Sequence, residues 1–118
     1  MKVGIDIEMI DRFKIMLDEN KQKKVFTERE IAYFNRFEHK LDHIAGCFCA
    51  KEAVSKALKV GLYTKLNPID IEILHDENGA PFVNVKNKKL KELVGGRSLD
   101  VSISHTDLIA TAICIVSD

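Results

Sequence analysis

The chain has 118 residues, 46% of them hydrophobic and 31% charged, with 18 Lys and Arg balancing 18 Asp and Glu. That length suits one domain with its own core and excludes a second, while a net charge of zero excludes the cation excess on which general nucleic-acid binders rely. No apolar run approaches a membrane span, and three cysteines, an odd number, without an export leader imply reduced thiols in the cytoplasm.

Residues 2–9 alternate, with Val3, Ile5, Ile7 and Met9 on one side and Gly4, Asp6 and Glu8 on the other. The pattern predicts a half-buried strand on which Asp6 and Glu8 share a face with Gly4, a residue that leaves room for close approach to the backbone. A helix is predicted at about 10–20, carrying Ile10, Phe13, Ile15, Met16 and Leu17. Thr27 opens a second helix; Glu30, three residues on, completes a capping box, and Phe26 and Ile31 flank it as a hydrophobic staple. The longest helix spans about 40–60, with segment 44–50 apolar or small nearly all round, so it runs through the core and stops at Gly61.

After Pro68 the period changes. Ile69, Ile71 and Ile73 alternate with Asp70 and Glu72 as a strand, Asp76-Glu77-Asn78-Gly79 reads as a turn, and Pro81 begins a second strand running to Val85. Lys86 to Val94 is a short amphipathic helix ending at Gly95-Gly96. Two final strands, about 99–104 and 109–116, join at His105-Thr106-Asp107. The last is apolar on both faces and therefore central. The outline is α+β: an N-terminal strand and three helices, then a mostly antiparallel sheet. Charge is uneven along it. Arg12 to Arg29 holds six bases against three acids, whereas Lys65 to Val85 holds one lysine against Asp70, Glu72, Asp76 and Glu77. A solvated helix face accounts for the basic stretch on charge alone, and such a stretch also steers an acidic partner.

A carboxylate among residues that favour burial must be paired, protonated or bound to a metal. Asp6 lies in an apolar strand, and Glu52 ends a helical stripe of Leu41, Ala45 and Phe48. Glu52 can pair simply with Lys56 at i+4. The sharper reading has Asp6 and Glu52 sharing a divalent cation while Lys56 meets a phosphate oxygen of the same ligand. Mg²⁺ suits this because it takes one or two carboxylates and completes its shell with water and phosphate. His105, at the end of a strand whose Leu99, Val101 and Ile103 face inward, reads equally as a core histidine or a ligand-facing one. His43, Cys47 and Cys49 invite a zinc reading, but the two cysteines point roughly 200° apart on a helix, and they read as small core fillers.

Taken together, these segments resemble the holo-acyl-carrier-protein synthases, the short class of 4'-phosphopantetheinyl transferases. The likeness spans nearly the whole chain. It runs through Gly4-Ile5-Asp6-Ile7-Glu8, Phe26-Thr27-x-x-Glu30, Ala45-Gly46-x-Phe48-x-Ala50-Lys51-Glu52-Ala53-x-Ser55-Lys56-Ala57, Asn78-Gly79-x-Pro81 and Val101-Ser102-Ile103-Ser104-His105-Thr106. Each motif is weak alone, and five in order are a strong signal. The resemblance implies a 4'-phosphopantetheinyl transferase-like fold over residues 1–118. It implies an enzyme that moves the phosphopantetheine arm of coenzyme A onto a serine of apo acyl carrier protein and releases adenosine 3',5'-bisphosphate. It further implies that Asp6 and Glu52 hold Mg²⁺ against the pyrophosphate. Lys56 and His105, with Thr106 beside it, would contact the phosphates of the coenzyme, and Gly79 and Pro81 would lie near its nucleotide end. A homotrimer with sites between subunits and a carrier docking on Arg12 and Lys14 belong to the same expectation. The chain departs from the family in having Cys47 where arginine is common. The resemblance leaves Asp6, Glu52 and a water on the metal all open as the base that takes the serine proton. The competing readings are a non-catalytic trimer that binds nucleotides or an acidic partner, and a metal-storage or redox protein built on His43, Cys47 and Cys49.

Overall fold

The computed structural model describes all of Met1 to Asp118. A three-stranded antiparallel sheet of β1 (Lys2–Met9), β5 (Ile109–Ser117) and β4 (Ser98–His105) packs one face on α3 (Lys40–Ala57), with the last strand in the middle as predicted. The hairpin β2 (Glu72–His75) and β3 (Pro81–Asn84) stands as a separate two-stranded sheet, so the expected single sheet is divided. Short helices α1 (Glu19–Gln22), α2 (Glu28–Phe34) and α4 (Lys88–Val94) complete the α+β arrangement. One cluster of 23 buried apolar residues runs from Ile10 to Val116, with α3 at its centre.

Local chemistry explains the boundaries. Thr27 caps α2, its side chain accepting from Glu30 N while Glu30 returns a carboxylate to Thr27 N at 2.9 Å, the reciprocal box predicted. Instead of one helix at 10–20, residues Ile10–Leu17 form a 3₁₀ helix. Ile10, Phe13 and Met16 recur every three residues, the period of that tighter coil, and all turn toward the core. Asp18 then caps α1, accepting from Asn20 N at 2.8 Å, which ends the first coil. Helix α3 stops before Gly61. Lys59 takes φ +62, and Val60 N returns to Ser55 O at 3.0 Å, closing a Schellman turn with lysine where glycine is usual. Residues Pro68–Asp70 form a 3₁₀ turn rather than a strand, because Pro68 donates no ladder bond and Asn67 and Asp70 cap each other.

The orientation of β1 matters most for the site. Its alternation is as read from the sequence, but the buried half is the polar one: Gly4 and Asp6 are buried and Glu8 is half-buried, all facing α3, while Val3, Ile5, Ile7 and Met9 face outward. Gly4 is the reason. A Cβ there would stand 2.0 Å from Ala53 O and 2.5 Å from Ala57 N, so strand and helix backbones touch at this point. Small residues Ala53 and Ala57 on the helix permit the contact. The outward side of β1 continues across β5 through the pairs Val3–Ile115, Ile5–Ile113 and Met9–Ile109, leaving an apolar face open.

Candidate functional site

The Gly4 contact sets β1 against the middle of α3 and brings Asp6 to Lys56. Asp6 Oδ1 accepts from Lys56 Nζ at 3.1 Å, and the same ammonium donates to Ile5 O at 3.0 Å. Asp6 is only 8% exposed, and its second oxygen, Oδ2, is buried with no partner. Thr111 Oγ1 donates to Asp6 O at 2.7 Å and pins the strand behind it. Glu52 sits half-buried nearby, its carboxyl raised above the usual range by burial and then by Asp6, with Lys56 pulling the other way. The predicted trio Asp6, Glu52 and Lys56 is therefore gathered in one place.

Glu8 joins it, a residue seen on the Asp6 face in the sequence but given no role there. Burial, the adjacent Asp6 carboxylate and the charge of Glu52 push its carboxyl up to about 7, against Arg12. Cys49 lies under the same acids. Its thiol is raised to about 12 by burial, Asp6, Glu8 and Glu52, and donates to Ala110 O at 3.4 Å. Carboxylates crowded this way, one with an orphaned buried oxygen, suit a hard cation. No group of three or more His, Cys, Asp or Glu side chains forms a cage of metal ligands. A cation between Asp6 and Glu52 would draw its remaining ligands from water and substrate.

His105, Gly79 and Pro81 assemble elsewhere, in a cleft of about 230 Å³ that also holds His43, His75 and Tyr33. Gly79 makes the turn at φ +82, and Asp76 Oδ1 fixes that turn by accepting from Asn78 N at 2.8 Å and Ala80 N at 2.9 Å. His105 is exposed at the cleft, not a core residue. Thr106 does not line the cleft. Its hydroxyl accepts from Leu108 N and Ile109 N, both at 3.2 Å, and so closes the turn between β4 and β5. Arg12 and Lys14 are exposed on the 3₁₀ segment, with Lys14 3.9 Å from Asp11.

The cysteines diverge as the helical geometry requires. Cys47 Sγ donates to Glu30 Oε2 at 3.3 Å, its thiol driven up by burial and Glu30, while Cys49 turns to β5. Sequence reasoning missed what holds this floor. Lys51, fully buried, donates to Glu30 Oε1 at 2.7 Å, Pro68 O at 2.8 Å and Ile71 O at 2.5 Å, and Glu30 also accepts from Ile73 N at 2.8 Å. One ion pair thus ties α2, α3 and the start of β2 together. Its signal was a lysine in the most apolar part of a helix, the same reasoning that found Glu52.

Residues 2–113 match the family model of the 4'-phosphopantetheinyl transferase superfamily. A holo-[acyl-carrier-protein] synthase of Thermoanaerobacter sp. strain X514 is 44% identical over 117 residues, covering 96% of this chain and 84% of that protein. One from Clostridium botulinum strain Alaska E43 is 42% identical, with 94% of each covered. Among solved structures, the Helicobacter pylori holo-[acyl-carrier-protein] synthase in complex with coenzyme A superposes with a TM-score of 0.83 at 34% identity, over 98% of this chain and 99% of that one. The Bacillus anthracis holo-(acyl-carrier-protein) synthase, also with coenzyme A (3',5'-ADP), gives 0.84 at 28% identity over 99% and 96%.

Proposed function

This chain belongs to the 4'-phosphopantetheinyl transferase superfamily, and from that premise we propose that Asp6 and Glu52 hold Mg²⁺ against the pyrophosphate of coenzyme A, with Lys56 on a phosphate oxygen. The reaction is transfer of the phosphopantetheine arm from coenzyme A to a serine of apo acyl carrier protein. Adenosine 3',5'-bisphosphate is the leaving product in this proposal. The observation that carries the site assignment is Asp6 Oδ2, a buried carboxylate oxygen without a partner, beside a second acid and a lysine.

The serine hydroxyl attacks the β-phosphate, so the barrier is mainly one of positioning and of charge building on phosphate oxygens. Bound Mg²⁺ would supply charge neutralisation there. Lys56 commits two of its three N–H donors to Asp6 and Ile5 O, which aims the third outward for a phosphate oxygen. Thr111 holds the main chain of Asp6 and Lys56 holds its Oδ1, so the carboxylate meets the ligand already oriented. The serine proton has Asp6, Glu8 and Glu52 to receive it.

Two further features extend the proposal. The open face of Val3, Ile5, Ile7, Met9, Ile113 and Ile115 suits burial against other copies, and a trimer with sites completed between subunits accounts for the separation of the acid cluster from the His105 cleft. Arg12, whose charge reaches Glu8, and Lys14 on the same exposed 3₁₀ segment suit an acidic carrier helix. No helix is long and apolar enough to cross a membrane, and the three cysteines are free, in keeping with a cytoplasmic enzyme. The test is to incubate the protein with coenzyme A, Mg²⁺ and apo carrier and to weigh the carrier by mass spectrometry. Gain of the phosphopantetheine mass, abolished by chelation and by Glu52→Gln, is expected. Transfer that survives both sinks the metal assignment.

A further inference from the structure

Three carboxylates meet between β1 and α3, and a single ammonium serves them. Asp6 and Glu8 lie two residues apart on the inward side of β1, and Glu52 comes from the helix they face. Lys56 Nζ stands 3.1 Å from Asp6 Oδ1, and the other ion pairs of the chain involve none of the three acids. The proposed site assigns Asp6 and Glu52 and gives Glu8 no part in holding the cation.

Glu8 is nonetheless placed for such a part. It is half-buried and pairs in register with Ala110 of β5, whose carbonyl accepts from the Cys49 thiol under the same acids. The charges of Asp6 and Glu52 both reach it. Next to it Asp6, only 8% exposed, holds Oδ2 buried and without a partner, the mark of a missing cation. The three side chains do not close as ligands on one point. Mg²⁺, however, keeps several of its waters, and those waters need acceptors of their own. A carboxylate that flanks two ligands without joining them is such an acceptor.

Resting on the assignment of Asp6 and Glu52, we propose that Glu8 is a positioning residue that accepts hydrogen bonds from the cation's waters and lets the cation load before coenzyme A. Asp6, Glu8 and Glu52 against Lys56 leave two negative charges in excess, which suits a dication. The exposed Arg12, whose charge reaches Glu8, offsets part of this. Without Glu8 the excess falls to one, and the coenzyme pyrophosphate has to arrive to complete the binding. While the cation is absent, the same three acids repel that pyrophosphate. Glu8 thereby sets an order, cation first and coenzyme second.

Mn²⁺ is the probe, because it takes the same oxygen ligands and is detected directly by electron paramagnetic resonance. At about pH 8, above the value of about 7 to which Glu8 is pushed, the wild-type protein should bind Mn²⁺ with no coenzyme present. Glu8→Gln keeps the shape, drops the charge and should weaken that binding at least about tenfold. Under chelation the same variant should bind coenzyme A about threefold more tightly in calorimetry, since one repelling charge is gone. A structural fault would weaken both, so opposite signs identify the charge. Wild-type protein that takes up Mn²⁺ only once coenzyme A is added overturns the proposal, whether or not the variant folds. So does folded Glu8→Gln with unchanged Mn²⁺ affinity, or with a metal-free coenzyme A affinity that fails to rise. Carrier modification that still needs Mg²⁺ and Glu52 alongside these results spares the assignment of Asp6 and Glu52. No Mn²⁺ uptake with or without coenzyme A, together with modification that survives chelation, sinks both.

Discussion

Asp6 is bonded to Lys56 within the fold and is, in the proposed reading, also a ligand of the metal. Its Oδ1 is satisfied by Lys56 and its Oδ2 is not, so Asp6→Asn and Glu52→Gln should each cut turnover by on the order of a hundredfold or more while far-ultraviolet circular dichroism stays native. Carrier modification followed by mass spectrometry measures this. Lys51 is the contrasting case, since it touches nothing in the acid cluster. Lys51→Met strands Glu30 as a buried, unpaired charge and should cost about 3–5 kcal/mol in urea unfolding, whereas removing the exposed Arg29 from Glu72 should cost at most about 1 kcal/mol. The histidines add a pH signature. His43 and His75 are depressed in the fold, so they are neutral there while the unfolded chain takes up protons below about pH 6.5. Their contribution is complete above that value and is lost as pH falls toward the folded values. Replacing both with Asn should shrink the drop in urea midpoint between about pH 7.5 and pH 5.5. Asp6, Glu52 and Lys56 were legible in the sequence because acids in apolar surroundings need a partner. His75 was not, because only the packing of β2 on Tyr33 brings it to His105's cleft.

Among the elements, those with a complete local signal were readable: the Thr27–Glu30 box, the Gly79 turn, the Gly95 stop of α4 at φ +62, and β5 as the middle strand. The errors arose where two local rules competed. Residues 10–17 have apolar positions compatible with an α-helix, but the three-residue spacing of Ile10, Phe13 and Met16 and the cap at Asp18 settle on a tighter coil. At the end of α3 the stop falls at Lys59 and not at Gly61, because Lys59 N returns to Lys56 O and Val60 N to Ser55 O, with lysine itself in the left-handed position. Lys59→Gly should therefore stabilise the chain by about 1 kcal/mol, read as a rise in melting temperature, since a left-handed lysine carries a steric cost that glycine avoids. Strand β1 exposes a different limit. Alternation gives the parity of its faces, but which face turns inward is decided by Gly4 meeting Ala53 and Ala57, a contact that no periodicity records.

For the whole molecule, the inverted strand leaves its apolar side outward, paired with Ile109, Ile113 and Ile115 of β5 and bordered by the polar Ser102 and Ser104 of β4. Ile5→Lys, at the middle of that face, should convert the proposed trimer to monomers in light scattering and lower transfer activity in parallel. A variant that remains fully assembled would remove this face from the interface. The backbone contact at Gly4 has one more consequence. The spacing between Asp6 and Glu52 is fixed by main-chain atoms of a strand and a helix pressed together, which cannot relax without parting the two elements. Warming should then cost this catalyst nothing until the chain itself lets go, so heat inactivation and melting will trace a single curve.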